Sequence, residues 1–110
     1  MRSFLMVCAL FAIVTSRVSA QGADGKALYD EFCKKCHGVI GKPPATMQKK
    51  FEKIATFNAE FMAKHSVDSV VKVLSKGKNE DMKSFKEKMK PDELTAVAKY
   101  VHELAAKAKP

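Results

Sequence analysis

Apolar residues fall at helical spacing through most of this chain, and no stretch shows a convincing period-two alternation of the kind a half-buried strand requires. Residues 23–33 predict a first helix, with Ala27, Leu28, Phe32 and the aliphatic part of Tyr29 on its inner side. Gly25 costs helix propensity there and predicts that another helix approaches closely. Gly38, Gly41, Pro43 and Pro44 predict a loop. Met47, Phe51 and Ile54 recur at i, i+4 and i+7, which predicts a helix over 45–57. Asn58 then caps a short turn carrying Phe61 and Met62. Val67, Val70, Val71 and Leu74 predict a helix over 67–76, with Ser66 as its N-cap and Gly77 as its stop. Residues 78–90 are polar and rich in lysine, and predict mostly loop. Pro91 suits the first position of a last helix, whose first turn holds Asp92 and Glu93 and whose inner side is Leu94, Val97, Ala98, Val101 and Leu104. The chain reads as all-α.

The first twenty residues depart from that pattern. Met1-Arg2 is a short positive start, Phe4 to Val14 is an unbroken apolar run, and Val18-Ser19-Ala20 has the small residues of a signal-peptidase site. The run is too short to span a bilayer. The expectation is a cleavable signal peptide over residues 1–20, one domain over 21–110, and no stable membrane insertion. A domain of that length is small for a self-sufficient core, so a bound apolar cofactor would supply much of the missing surface.

Charge narrows the range of partners. The full chain carries 20 Lys+Arg against 12 Asp+Glu, a net +8. Both arginines, Arg2 and Arg17, lie in the leader; without those two the balance is +6, and every remaining cationic side chain is lysine. Lysine is a hydrated point charge without the planar fork that reads phosphates and bases. With no Trp and few other aromatics, a nucleic-acid partner is not expected. An acidic protein surface is.

The strongest chemical signal is Cys33-Lys34-Lys35-Cys36-His37. C-x-x-C-H reads as a c-type haem attachment site: two thiols add to the two vinyl groups, and the following His binds iron. A zinc site would need more Cys or His at ligand spacing, and only His65 and His102 remain in the domain. A redox-active dithiol would need a βαβ pattern, and none is present. The second axial position then decides the chemistry, because an open site binds small ligands and a filled one favours electron transfer. A Met thioether there stabilises ferrous iron and raises the potential. The candidates are Met47, Met62, Met82, Met89, His65 and His102. Met82 is favoured, because it sits in the loop between the Gly77 stop and the last helix. Met89 is its competitor, with packing beneath the cofactor's edge as its other role. Met47 and Met62 sit on apolar stripes as core filler, and His65 and His102, beside Lys64 and Glu103, read as solvated surface residues.

Taken together, these residues resemble the small bacterial monohaem members of the class I c-type cytochromes. The resemblance rests on Gly25-Lys26-Ala27-Leu28-Tyr29 leading into Cys33-x-x-Cys36-His37-Gly38, on the 67–74 segment with Gly77, on Met82-Lys83-Ser84-Phe85, and on Pro91-Asp92-Glu93-Leu94 through Tyr100-Val101. It implies a cytochrome c fold of three to five helices wrapped around one covalent haem c, with Gly25 and Tyr29 near Val97 and Tyr100. It implies His37 and Met82 as axial ligands, and a proline carbonyl, Pro44 or else Pro43, accepting the imidazole N–H. It also implies a periplasmic, monomeric electron carrier, not an enzyme, that meets acidic redox partners transiently through a ring of lysines: Lys34, Lys35 and those from Lys76 to Lys90. Two rivals stay open: a haem-based small-ligand sensor with a labile sixth ligand, and the subunit through which electrons enter a larger redox enzyme. Lys83 stands where the family usually has proline, which predicts a looser ligand loop. The absence of Arg and Trp leaves the haem propionates without named partners.

Overall fold

The computed structural model describes residues 23–108, and the expected signal segment lies outside them. Six helical segments follow in order: α1 (Gly25–Phe32), α2 (Lys34–His37), α3 (Ala45–Lys50), α4 (Ala59–Lys64), α5 (Val67–Lys76) and α6 (Pro91–Lys107). No strand occurs among the described residues, so the all-α expectation holds. The segments outnumber the expected three to five because the chain leaves helical geometry briefly at Cys33 (φ −121°, ψ −37°) and resumes as the single turn α2.

The helix ends follow from local chemistry. The Asp24 side chain accepts the Ala27 N–H at the start of α1, Asn58 accepts that of Phe61 at α4, and Ser66 accepts that of Ser69 at α5. Pro91 opens α6, and the Glu93 carboxylate reaches back to the Lys90 N–H at 2.8 Å. The helix expected over 45–57 ends at Lys50. Phe51 turns out of it (φ −127°, ψ 88°), and the following segment runs irregularly to a 2.8 Å bond from the Phe57 N–H to the Gly41 carbonyl.

Helix α6 is the hub on which α1, α4 and α5 pack. Val97 and Ala98 are fully buried at the α6 side of the core, and Tyr29 is fully buried on α1. The Tyr29 and Tyr100 rings meet at a tilt of 60°, with centroids 5.2 Å apart. Gly25 makes this crossing possible, since a Cβ there would collide with the Ala96 carbonyl. The predicted neighbours of the first and last helices therefore meet. Ala27, expected on the inner side of α1, is exposed. Burial of a large apolar side chain is worth about 1.5–3 kcal/mol, so the dozen buried apolar residues concentrated around α6 fix where α1 ends and thus where the C-x-x-C-H turn begins.

Candidate functional site

The single turn α2 presents the motif. Cys33 donates its N–H to the Tyr29 carbonyl, ending α1, and its own carbonyl accepts the N–H groups of Cys36 (3.2 Å) and His37 (2.9 Å). Positions i, i+3 and i+4 share one face of a helical turn, so both sulfurs and the imidazole line one cavity. Both thiols are free. Burial, with Cys36 adding to it, pushes the Cys33 thiol up to about 12, so it remains protonated.

The His37 ring stacks on Phe57, with centroids 4.8 Å apart and planes 19° from parallel. Its Nδ1 lies 3.3 Å from the Ala55 carbonyl oxygen. That corrects the expectation of Pro44. The Pro44 carbonyl accepts the N–H groups of Met47 and Gln48 at the start of α3, and the Pro43 carbonyl accepts the Gln48 side chain at 2.7 Å. Both proline carbonyls are committed elsewhere, and the irregular chain after Phe51 brings Ala55 to the ring instead. Burial holds the His37 pKa below its ordinary value; the Ala55 hydrogen bond opposes this and the Lys78 charge adds to it. The imidazole is thus neutral at pH 7, with Nε2 the nitrogen left for a ligand role.

The cavity measures about 830 Å³, within the roughly 300–1,000 Å³ of preformed cofactor sites. Phe32, Phe51, Ile54, Phe57, Phe61, Val70 and Leu74 give it an apolar wall, and Met82 and Phe85 come from the segment between α5 and α6. Phe32 and Phe85 meet edge to face at 5.9 Å. Met89 is buried in the core and does not line the cavity, whereas Met82 does. Met62 packs against the core, and Met47 is only partly buried. Thus the structure brings Cys33, Cys36, His37 and Met82 together and leaves Pro44 out.

Two groups of residues escape the sequence reading. His65 and His102 are half-buried and engaged, not free on the surface: His65 lines the cavity with its ring 4.7 Å from Phe61, and His102 Nε2 lies 2.6 Å from the His65 carbonyl oxygen. Lys49, Lys50 and Lys53 reach the cavity beside Lys78, while the other lysines expected around the site do not line it. The helix expected through residue 57 hid Lys53; Lys49 and Lys50, basic residues in a last turn, were the available sign that the helix stops there. Among the described residues no cluster of three or more His, Cys, Asp or Glu is arranged to hold a metal ion. No helix among them is long and apolar enough to cross a membrane.

Two unpaired thiols, a neutral imidazole and a thioether on one apolar cavity form a donor set that fits an iron porphyrin held through thioether links. The fold and this donor set define a small monohaem cytochrome of the c type. The family described as cytochrome c oxidase, cbb3-type, subunit III matches residues 20–101, and the chain belongs to that family. Among solved structures, the KustC0563 c-type cytochrome is similar at 35% identity and a TM-score of 0.67, over 74% of this chain and 98% of that one. A tyrosine-to-phenylalanine mutant of Kustc0563 aligns at 34% identity, with a TM-score of 0.65 and the same coverage. No curated protein matches the chain.

Proposed function

We propose that this protein is a soluble periplasmic electron carrier, exported by a signal peptide over residues 1–20, that holds one haem c between His37 and Met82. The observation that carries this reading is the convergence of Cys33, Cys36, His37 and Met82 on a single cavity. Bound there, a haem supplies a one-electron couple between ferric and ferrous iron. The protein's residues do the rest. Cys33 and Cys36 would hold the haem covalently, each thiol adding its S–H across a vinyl double bond to give a thioether with no by-product. His37 offers Nε2 while the Ala55 carbonyl holds the proton on Nδ1, which makes the imidazole a stronger donor. Met82 offers a soft sulfur that favours the ferrous state. The phenylalanine wall would limit water at a bound iron, so that little need rearrange when its charge changes. Lys49, Lys50, Lys53 and Lys78 at the cavity are the cations available to carboxylate groups of the cofactor. The remaining lysines give the surface a positive field that steers an acidic redox partner into brief contact.

The absorption spectrum tests this. Oxidised protein is expected to show the weak red band of thioether-to-iron charge transfer, and Met82→Ala to lose it together with a fall in reduction potential. A wild-type protein without that band, binding carbon monoxide as isolated, would replace the carrier with a small-ligand sensor. The family match favours a second reading, the subunit through which electrons enter a larger oxidase. A complex surviving purification would support it, and a freely diffusing monomer would support the carrier.

A further inference from the structure

The segment that carries Met82 lacks the proline the resemblance leads one to expect after it, yet the backbone of Met82 is committed at both ends. Its N–H donates to Asn79 Oδ1 at 2.9 Å, and the same oxygen accepts the Asp81 N–H at 3.0 Å. Its carbonyl accepts the N–H groups of Lys78 (2.8 Å) and Asn79 (3.3 Å). Beyond it, the Ser84 hydroxyl donates to the Ser75 carbonyl at 2.5 Å and the Phe85 N–H to the Leu74 carbonyl at 2.8 Å. Those two carbonyls belong to the last turn of α5, where the helix itself supplies no partner. Gly77, at φ +76°, lets the segment fold this tightly, since a Cβ would lie 2.6 Å from the Ser84 nitrogen and 3.1 Å from the Met82 oxygen.

The two fastenings differ in kind. The Ser84–Phe85 end is tied to α5. The Lys78–Met82 end closes on itself, and its one side-chain element is the Asn79 carboxamide oxygen, whose two lone pairs take two N–H groups at once. A proline restrains a loop through its fixed φ; a side-chain acceptor placed three residues upstream restrains the same peptide through hydrogen bonds. We propose that Asn79 is the positioning residue for Met82, holding the backbone of the ligand residue so that its thioether stays on the cavity wall where Lys83 replaces the proline. This rests on the reading of Met82 as an iron ligand.

The test uses the haem-loaded protein and two variants. Asn79→Leu keeps the size of the side chain and removes the acceptor; Asn79→Asp keeps an acceptor oxygen. The readouts are amide hydrogen exchange at Met82 and Asp81, and the rate at which added cyanide displaces the thioether from ferric iron, followed by loss of the red band. Losing the two hydrogen bonds speeds both readouts roughly 5- to 30-fold in Asn79→Leu, while Asn79→Asp restores rates close to the parent's. Unchanged rates in Asn79→Leu, with the band still lost in Met82→Ala, would overturn the role of Asn79 alone. Retention of the band in Met82→Ala would overturn the ligand reading and this inference with it. In the parent protein, where no variant needs to fold, the Met82 and Asp81 amides exchange at least about tenfold more slowly than that of Lys83; equal rates would also overturn the proposal.

Discussion

At the scale of single residues, Tyr29 links the core to the cofactor turn through one hydroxyl. Its ring is fully buried against Tyr100 and Phe57, and its O–H donates to the Gly38 carbonyl at 2.6 Å, one residue beyond His37. Burial, with the neighbouring Cys33 and Tyr100 adding to it, pushes the phenol well above its ordinary pKa, so the hydroxyl stays protonated and donating at any working pH. Tyr29→Phe leaves the ring packing in place and removes the donor. The Gly38 carbonyl keeps a long 3.4 Å bond from the Gly41 N–H, so the cost falls at about 1–2 kcal/mol and not at that of a fully orphaned group. A denaturant titration of the two proteins checks this: the midpoint shifts while the slope does not.

Single residues also mark how far sequence reading reaches. The spacing of C-x-x-C-H is a helical constraint, so the common face of Cys33, Cys36 and His37 on one cavity was legible without coordinates, and so was the loop position of Met82. The carbonyl facing His37 was not legible. Which of Pro43, Pro44 or Ala55 accepts depends on where residues 51–57 run, and that is decided by the bond between Phe57 and Gly41, sixteen residues apart. Lys64 and Glu103 made their histidine neighbours look solvated, but Glu103 points away from His102 on α6, and His65 lies in extended backbone just past α4. His102 instead ties α6 to the end of α4.

At the scale of elements, caps carried more information than periodicity. Asn58, Ser66, Gly77 and Pro91 act on their own backbone, and each marks the helix end expected of it. The 45–57 stripe misled because Phe51 and Ile54 share a cavity wall without sharing a helix. A spacing of three or four residues reports a common face, and an irregular segment curling round a large apolar cavity can supply that face as well as a helix can. The crossing of α1 with α6 was legible from Gly25, and it gives a prediction of sign. Alanine at the start of a helix ordinarily gains up to about 1 kcal/mol over glycine. Here the added Cβ meets the Ala96 carbonyl and the Cβ of Tyr100 at 3.2 Å, and forcing two backbones apart costs about 1–3 kcal/mol. Gly25→Ala is therefore expected to lower the thermal midpoint by several degrees, measured by circular dichroism, despite its better helix propensity. An unchanged or raised midpoint would mean that α1 and α6 do not meet in the way described.

At the scale of the whole molecule, the cavity takes a large share of the apolar surface this chain could bury. The described core is one helix, α6, with three partners, and Cys33 and Phe57 belong both to that core and to the cavity wall. The cavity opens to solvent, and without an occupant Phe32, Phe51, Phe61 and Phe85 on its wall are only half-buried. Full burial of a large apolar side chain is worth about 1.5–3 kcal/mol, so covering these side chains adds an amount comparable to the roughly 5–15 kcal/mol by which a domain is stable. On this ground folding and cofactor capture are expected to be coupled. A chain with Cys33→Ser and Cys36→Ser, produced without haem, is expected to lose most of its helical circular dichroism and its cooperative thermal transition. The haem-loaded parent retains both. Helicity in the variant equal to the parent's would show that α6 and its partners fold unaided, and the cavity would then be a site filled after folding and not a part of the core.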